Sequence, residues 1–392
     1  MTRRIELPFK VRRPILALGA DLKGAFAVAY GREAILVDGF GDLSDPDNFT
    51  IYEKAVKSEL KKLKIKPGIA ACDLHPGYFS THFAEEINES HPFIFPFIPN
   101  LIRVQHHEAH IASAIVDHAI KGKVIGVALD GTGYGSDGFI WGGEFFVGDL
   151  KNFHRAAHFE YVAMPGGDKA IREPWRMAVS YLYQAFGKRA FNKRAFGKKF
   201  LKLKPNFLKN LQKRCQAPLL KMIDKNINSP LTSSVGRLFD AVGSIVLSKP
   251  NARYEAELPI ALEKLADRLC GDRYDFGICK EGGLMKIDSR KIIEGIMGDM
   301  RRGVNKGLIS GKFHNTISVI IVRMALTLSN KYKSRNIVLS GGVFQNRFLT
   351  KRITEMLAGP GPKAWLHSKV PTNDSGIPIG QIAIANARVK CA

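Results

Sequence analysis

Short apolar runs separated by turn-forming residues open the chain. Residues 15–18, 25–30 and 34–37 are almost wholly apolar, and Gly-containing links occupy 19–24 and 31–32. Runs of this length bounded by such links are typical of β-strands. The pattern therefore predicts a β-meander at the start of the chain.

A similar pattern starts again at residue 124. The apolar run 124–129 leads into the glycine-rich loop 130–138 and then into a second apolar run, 139–147. Leu129 follows Leu18 by 111 residues, and each ends a predicted strand that enters a turn containing Gly and Asp. The repetition indicates a duplicated supersecondary unit.

Helical periodicity appears between the two copies and becomes dominant after residue 150. Residues 52–63 and 106–120 predict helices on either side of an apolar run at 68–73. Further predicted helices are 175–186, 236–247, 259–270, 316–332 and 380–390, with a strand at 336–339 before the Gly341-Gly342 turn. Alternating strands and helices indicate an α/β fold.

The chain is longer than one hydrophobic core usually extends. At 392 residues it exceeds the roughly 250–300 residues at which single cores stop growing. We therefore expect two domains, residues 1–150 and 151–392. A composition of 45% hydrophobic and 24% charged residues excludes disorder, collagen and coiled coil for the whole chain.

The cysteine pattern and the hydropathy of the chain indicate the cellular compartment of the protein. The five cysteines are odd in number and form no C-x-x-C motif, so they encode neither a disulfide framework nor a thiolate zinc site. The basic N-terminus has no long apolar stretch behind it, and no run of about 18 apolar residues occurs. We expect a cytoplasmic protein that does not insert into a membrane.

The positive charge is concentrated in one segment. The formal net charge is +23, and residues 174–223 contain many Lys and Arg but no acidic residue. Phenylalanines at 186, 191 and 196 each precede a basic cluster there. This predicts a helical basic insertion around 174–230. It is either a solvated face whose phenylalanines pack on the body or a surface for single-stranded nucleic acid.

Two histidines and two aspartates suggest a metal site. His106 and His110 are four residues apart, so on a helix both imidazoles project from one face. They either share a cation or form hydrogen bonds in a helix interface. Asp130 and Asp374 add carboxylates in turns, and this donor set suits Fe²⁺, Zn²⁺ or Mn²⁺ better than Ca²⁺.

The glycine-rich loop could approach a phosphate group. Gly131, Gly133 and Gly135 alternate after Asp130 and leave backbone N–H groups accessible, although the loop could also be a plain turn. A strand follows it, which excludes the Rossmann and P-loop motifs. Lys23 lies in the equivalent first turn, where it is either solvated or placed to offset a phosphate or oxyanion.

Nine segments share a pattern with one known family, namely 17–23, 41–43, 73–78, 104–110, 130–138, 141–144, 165–176, 233–241 and 339–346. They resemble the C-terminal half of HypF carbamoyltransferases, in order from about residue 14 to residue 386. The resemblance implies an actin-like ATPase (ASKHA) architecture with two ribonuclease-H-like lobes around a central nucleotide cleft. It also implies transfer of a carbamoyl group from carbamoyladenylate to the C-terminal cysteine of HypE during [NiFe]-hydrogenase maturation.

The resemblance assigns residues to roles. It implies one divalent metal ion, iron or zinc, and an adenine nucleotide (carbamoyladenylate, AMP or ATP). The implied metal ligands are His106, His110, Asp130 and Asp374. The implied nucleotide contacts are Asp130, Gly131, Thr132 and Gly133 for phosphate, Gly167, Asp168 and Glu173 for ribose, and Gly341, Gly342 and Asn346 for the nucleoside. Lys23 and Arg237 are the candidates for charge stabilisation.

Departures from the family pattern leave the acceptor open. The family usually has Asn-Thr where this chain has Gly24-Ala25, and Pro and Gly where it has Thr372 and Ser375. We also expect a separate YrdC-like protein, or a HypF N-terminal half, to supply carbamoyladenylate to a chain that acts on a HypE-like acceptor. The alternatives are a small-molecule O- or N-carbamoyltransferase, a TsaD-like protein that binds RNA, and a non-catalytic scaffold.

Overall fold

The structure is a computed structural model that describes residues 1–89, 98–187 and 217–389. Its strands are β1 (Thr2–Glu6), β2 (Ile15–Ala17), β3 (Ala25–Tyr30), β4 (Glu33–Asp38), β5 (Ile69–Asp73), β6 (Leu101–Val104), β7 (Val124–Leu129), β8 (Gly143–Asp149), β9 (Asn152–Phe159), β10 (Val162–Ala163), β11 (Leu231–Thr232), β12 (Gly277–Glu281), β13 (Leu284–Asp288), β14 (Asn336–Ser340) and β15 (Lys363–Trp365).

The α-helices of the described ranges cover both halves of the chain. They are α1 (Pro46–Leu63), α2 (Phe79–Glu89), α3 (His106–Asp117), α4 (Lys169–Arg172), α5 (Trp175–Phe186), α6 (Ala217–Lys225), α7 (Val235–Leu247), α8 (Glu257–Leu265), α9 (Arg290–Arg302), α10 (Lys306–Tyr332), α11 (Arg347–Leu357) and α12 (Ile377–Arg388). Short 3₁₀ turns lie at Gly342–Gln345 and Asp374–Gly376. Across those same ranges, none of the helices combines the length and apolar character needed to cross a membrane.

Five strands follow the same order in each of two mixed sheets, β4-β3-β2-β5-β6 in the first and β9-β8-β7-β14-β15 in the second, which confirms the predicted duplication. The first runs β1-β4-β3-β2-β5-β6 and the second β12-β13-β9-β8-β7-β14-β15. In the first sheet, β2 pairs antiparallel with β3 and parallel with β5. In the second, β7 pairs antiparallel with β8 and parallel with β14. The parallel pairings bring the ends of β2 and β7 to the crevice between the sheets.

Several predicted elements have different ends because local capping overrides the apolar pattern. α1 starts six residues earlier than predicted, since the Asp45 side chain accepts hydrogen bonds from the first turn. α10 starts ten residues earlier than predicted, since the Asn305 side chain accepts a hydrogen bond from the Gly307 N–H. α8 stops at Leu265 because Ala266 has an extended backbone.

The strand predicted at 139–147 is wrong over 139–142, where Ile140 bridges to Thr232 instead.

Two helices pack against each other between the sheets. α3 lies against β7 and β14 of the second sheet, and α12 lies against β2, β3 and β5 of the first. A Cβ atom on Gly380 of α12 would overlap the carbonyl oxygen of Ala109 in α3. Gly126 of β7 leaves similar room for Ile111 of α3. Gly380 and Gly126 therefore let α3 pack closely against α12 and β7.

The predicted division at residue 150 does not separate the sheets. It falls in the hairpin between β8 and β9, whereas the chain passes from the first sheet to the second between Val104 and Val124. α12 then returns from the second half to the first sheet. The division into lobes remains a prediction, and most of the basic insertion, at 188–216, lies outside the described residues.

Candidate metal centre and cavities

α3 begins at the first residue of the histidine pair. The Gln105 side chain accepts hydrogen bonds from the backbone N–H groups of His107 and Glu108, at 2.8 and 2.9 Å. These two bonds cap the helix and set its start at His106. His106 and His110 consequently lie one turn apart, and both side chains are fully buried.

Both histidines face two carboxylates. His110 Nε2 lies 2.8 Å from Asp130 Oδ2 and 3.4 Å from Asp374 Oδ1. His106 Nε2 lies 3.6 Å from the same oxygen of Asp130 and 3.8 Å from that of Asp374. One ligand atom from each of the four residues lies within 4.8 Å of all the others. The four residues predicted to share a metal are thus brought together.

The donor set fits a divalent transition metal. Two imidazole nitrogens and two carboxylate oxygens match the preferences of iron, zinc or manganese. His106 Nε2 is buried and makes no hydrogen bond within the described part of the chain, so it is free to act as a ligand.

Buried imidazoles and carboxylates lie side by side in this cluster, so each affects the charge of the other. Burial alone would raise the pKa of Asp130, but the imidazoles of His106 and His110 beside it hold that pKa well below its usual value. Burial would likewise lower the pKa of His106, yet the charges of Asp73 and Asp130 raise it well above its usual range. The carboxylates therefore attract positive charge strongly, which a metal ion would supply in place of protons.

Asp73 is a functional candidate that the sequence analysis did not assign. It ends β5, and its Oδ2 lies 2.7 Å from His106 Nδ1, with both side chains fully buried. Its Oδ1 accepts a hydrogen bond from the backbone of His75. A carboxylate on the far nitrogen fixes the tautomer and orientation of a ligand histidine. The position of Asp73 at a strand end, two residues before His75, was the signal available in the sequence.

Two glycine turns hold Asp130. A Cβ atom on Gly133 would overlap the rings of His106 and His107. Gly342 donates its backbone N–H to Asp130 Oδ1 at 3.3 Å, and a Cβ atom there would lie 2.9 Å from that oxygen. Gly341, with φ of +105°, adopts a conformation that side chains disfavour. Glycine is therefore needed at Gly133 for close packing on the histidine rings and at Gly342 for close packing on the carboxylate.

A first cavity of about 380 Å³ begins at this carboxylate pair. Asp130 and Asp374 line one end together with Gly131, Thr132 and Gly342. Apolar side chains line another part, namely Leu22, Phe239, Pro259, Ile260 and Val343. Asn346 also lines it, with its side chain held by Leu349 N–H and by His314. A cavity with a polar end and an apolar wall suits a nucleotide.

Lys23 and Arg237 lie in the wall of this cavity. Lys23 Nζ forms an ion pair with Glu255 Oε2 at 3.1 Å. Burial would lower the pKa of Lys23, but Glu255 outweighs that effect and raises it. Arg237 is only 4% exposed and pairs with Asp240 at 2.9 Å. Its Nε and Nη1 have no hydrogen-bond partner among the described residues, so the guanidinium is available to an anion.

Residues implied to contact ribose lie elsewhere. Asp168 lines a second cavity of about 670 Å³ rather than the first. Gly167 and Glu173 line neither cavity. The Glu173 side chain instead accepts hydrogen bonds from Arg176 and Trp175 at the start of α5. The ribose assignment therefore has no support in the geometry of the first cavity.

Comparison with known proteins places the chain in a family. A family model described as "Carbamoyltransferase, Kae1-like Domain, second subdomain" matches residues 126–381, and one described as "HypF Kae1-like domain" matches residues 10–117. "Carbamoyltransferase HypF homolog" of Cupriavidus necator is 31% identical over 388 residues, which cover 95% of this chain and 91% of that protein. "Carbamoyltransferase HypF" of Rhizobium leguminosarum bv. viciae is 34% identical over 95% of this chain and 45% of its own length.

Solved structures agree with the sequence matches. A crystal structure of full-length HypF in the phosphate- and nucleotide-bound form superposes with a TM-score of 0.87 at 36% identity, covering 98% of this chain and 47% of that one. This superposition confirms the α/β fold class expected from the sequence. The chain spans about half the length of most of the curated relatives it matches. It belongs to the HypF carbamoyltransferase family and corresponds to the Kae1-like part of those proteins.

Proposed function

We propose that this chain transfers a carbamoyl group from carbamoyladenylate to an acceptor, in the cytoplasm. The observation that carries the proposal is the cavity that joins the His106, His110, Asp130 and Asp374 cluster to an apolar wall. That combination accommodates a charged phosphate and a flat base in one ligand. The names of the relatives support carbamoyl as the transferred group.

The nucleotide occupies the first cavity in this proposal. The backbone of Thr132 lies near the phosphate, and Pro259 and Ile260 contact the base. The N–H groups of Gly131 and Gly342, which the sequence suggested for phosphate, instead bind Asp130 Oδ1. His106, His110, Asp130 and Asp374 would hold one divalent ion. When bound, that ion supplies positive charge beside the phosphate.

Transfer is an acyl substitution at the carbamoyl carbon. The nucleophilic sulfur or oxygen of the acceptor forms a bond to this carbon, and the bond from the carbon to the phosphate oxygen breaks. AMP leaves with the electron pair, and the acceptor proton passes to solvent. Lys23 and Arg237 line the place where negative charge develops, so their cationic groups offset the charge of the departing phosphate.

The preferred acceptor is the C-terminal cysteine thiol of a HypE-like protein in hydrogenase maturation. Carbamoyladenylate reaches the chain from a YrdC-like protein or from a HypF N-terminal half. The decisive experiment supplies synthetic carbamoyladenylate and a cysteine peptide to the purified chain and follows AMP and S-carbamoyl product by mass spectrometry. Accelerated formation of both supports the proposal, and the absence of any product with thiol, hydroxyl and amine acceptors contradicts it.

A further inference from the structure

Asn346 lines the first cavity from the start of α11. Its side-chain Oδ1 accepts a hydrogen bond from the backbone N–H of Leu349 at 2.9 Å, which caps the helix. Its Nδ2 lies 3.0 Å from Nε2 of His314 in α10. A side-chain amide has an acceptor oxygen at one end and two N–H groups at the other, so its orientation decides which ligand atoms it can bind.

His314 supports Asn346 from outside the cavities. Its side chain is fully buried and lines neither of them. Three aromatic rings pack around the imidazole, with centroids at 5.3 Å for Phe239, 5.9 Å for Phe313 and 5.2 Å for Phe348. Close packing of this kind leaves the imidazole little room to turn, so each of its nitrogens keeps its partner.

The partners of His314 Nδ1 determine which ring nitrogen carries the proton. Nδ1 lies 2.8 Å from the backbone carbonyl oxygen of Ser310 and 3.3 Å from the Ser310 hydroxyl. The carbonyl oxygen can only accept. The hydroxyl donates its one proton to the carbonyl oxygen of Leu262 at 2.6 Å, so toward His314 it too can only accept. Nδ1 of His314 is therefore the donor.

Nε2 of His314 is consequently an acceptor. Burial lowers the pKa of His314 to about 4, so near pH 7 the imidazole is neutral and carries one proton. With that proton on Nδ1, Nε2 accepts a hydrogen bond from Asn346 Nδ2. The Leu349 N–H requires the oxygen of the same amide on its own side. Two contacts with different helices thus demand one orientation of Asn346.

One N–H group of Asn346 remains for a ligand. Nδ2 carries two protons, and one of them is used on His314. Within the described ranges, the amide makes no hydrogen bond beyond those to His314 and Leu349. The residue lines the first cavity, so the spare group is a hydrogen-bond donor in the wall of that cavity.

Three helices support this donor. Ser310 of α10 bonds to a carbonyl oxygen of α8, and Glu263 of α8 accepts the backbone N–H groups of Arg347 and Phe348 at 2.9 and 3.1 Å. Glu263 lines the first cavity, as Asn346 does. The Asn346 amide is therefore held on packed helices, which is what selection of a ligand through one hydrogen bond requires.

We propose that His314 is a positioning residue that holds the Asn346 amide with an N–H toward the nucleotide, so that the first cavity selects a nucleoside with a hydrogen-bond acceptor at that point. The acceptor is a ring nitrogen of the base or a hydroxyl oxygen of the ribose. A nucleotide without that atom leaves the N–H unpaired and binds more weakly. This inference rests on the proposed function, because it takes the first cavity as the nucleotide site.

AMP and five analogues test which atom is recognised. The 1-deaza, 3-deaza and 7-deaza analogues each replace one ring nitrogen of the base by C–H, and the 2′-deoxy and 3′-deoxy analogues each lack one hydroxyl. Calorimetry on the purified chain measures the affinity of each. We expect the analogue that lacks the acceptor of Asn346 to bind about three- to tenfold more weakly than AMP.

Three variants connect that deficit to the pair of residues. Asn346→Asp keeps an oxygen for the Leu349 N–H but has no N–H to donate, and His314→Leu removes the acceptor that holds the amide. In both proteins the same analogue should bind within about twofold of AMP. His314→Gln is the matched control, because its amide oxygen can accept the Asn346 N–H and should preserve the deficit.

The protonation of His314 gives a readout that does not depend on binding. Nitrogen NMR of the histidine-labelled wild-type protein should show His314 protonated at Nδ1 and unprotonated at Nε2, with His314→Gln identifying its signals. In Asn346→Asp, a carboxylate replaces the amide beside Nε2 and should raise the pKa of His314. A wild-type imidazole protonated at Nε2 would reverse the Asn346 amide and overturn the proposal.

The outcomes separate this inference from the proposed function. If the wild-type chain binds no AMP, the nucleotide site is wrong and the proposed function falls with it. If AMP binds but no analogue loses its deficit in Asn346→Asp and His314→Leu, the positioning role of His314 is overturned and the nucleotide site stands. Should His314→Leu fail to fold, Asn346→Asp and the NMR measurement decide.

Discussion

Asp73 Oδ2 lies 2.7 Å from His106 Nδ1, and both side chains are fully buried. This contact fixes which nitrogen of His106 faces Asp130 and Asp374. The carboxylate accepts the Nδ1 proton, so Nε2 is left as the nitrogen that can bind a metal. Asp73, at the end of β5 in the first sheet, thus orients a candidate metal ligand on α3, the helix that packs against the second sheet.

Replacing Asp73 by Asn should weaken metal binding by about 10- to 100-fold. The amide oxygen can still accept the His75 N–H, but the amide nitrogen is a donor and favours the wrong tautomer of His106. Competition with a coloured chelator measures the affinity. Unchanged affinity in a folded Asp73→Asn protein would show that Asp73 has no part in orienting the ligand.

Replacing His110 by Ala should remove the metal and the carbamoyl transfer activity together. The remaining three side chains offer one imidazole and two carboxylates, which is a weaker set for a transition metal. Elemental analysis of the purified variant gives the stoichiometry. A metal-free wild-type protein that stays fully active in chelator would contradict the metal site.

Replacing Lys23 by Met should lower kcat by about 100-fold, or roughly 2.7 kcal/mol, with little change in donor affinity. The ammonium is expected to stabilise charge on the departing phosphate rather than to hold the substrate. Lys23→Arg keeps the positive charge and should recover part of the activity. A rise in KM with unchanged kcat would make Lys23 a binding residue.

Replacing Gly380 by Ala should destabilise the protein by about 1–3 kcal/mol or more, because the new methyl overlaps the Ala109 carbonyl oxygen. The matched control is Gly298→Ala in α9, where the nearest atoms are the flexible end of Arg302 at 3.5 Å. That change should be neutral or stabilising by up to about 1 kcal/mol. Urea unfolding measures the free energy of unfolding of both variants. Equal values for Gly380→Ala and Gly298→Ala would contradict tight packing of α12 on α3.

Much of the fold follows from local pattern. The bounds of β3, β7 and α5 match the apolar runs at 25–30, 124–129 and 175–186. These elements are buried over most of their length, so their hydrophobic content matches their structure. β1 carries a mostly polar sequence and was not predicted, since only its pairing with β4 makes it a strand.

The sequence by itself determined the identity and spacing of the candidate ligands. His106 and His110 are four residues apart, which places both side chains on one face of a helix. The glycines after Asp130 mark a loop whose backbone can approach another group closely. Residues adjacent in sequence constrain each other through helix and turn geometry. Local rules can therefore predict such features.

Only the tertiary structure decided which distant residues meet. The packing of the two halves of the chain placed Asp73 on His106 and Glu255 on Lys23, and it placed Asp168 in the wall of the second cavity. These contacts join residues separated by tens to hundreds of positions, with no helical or strand periodicity between them. Close packing of α3 on α12 and on β7 fixes His106 beside Asp73, because a close-packed interior admits few alternative arrangements.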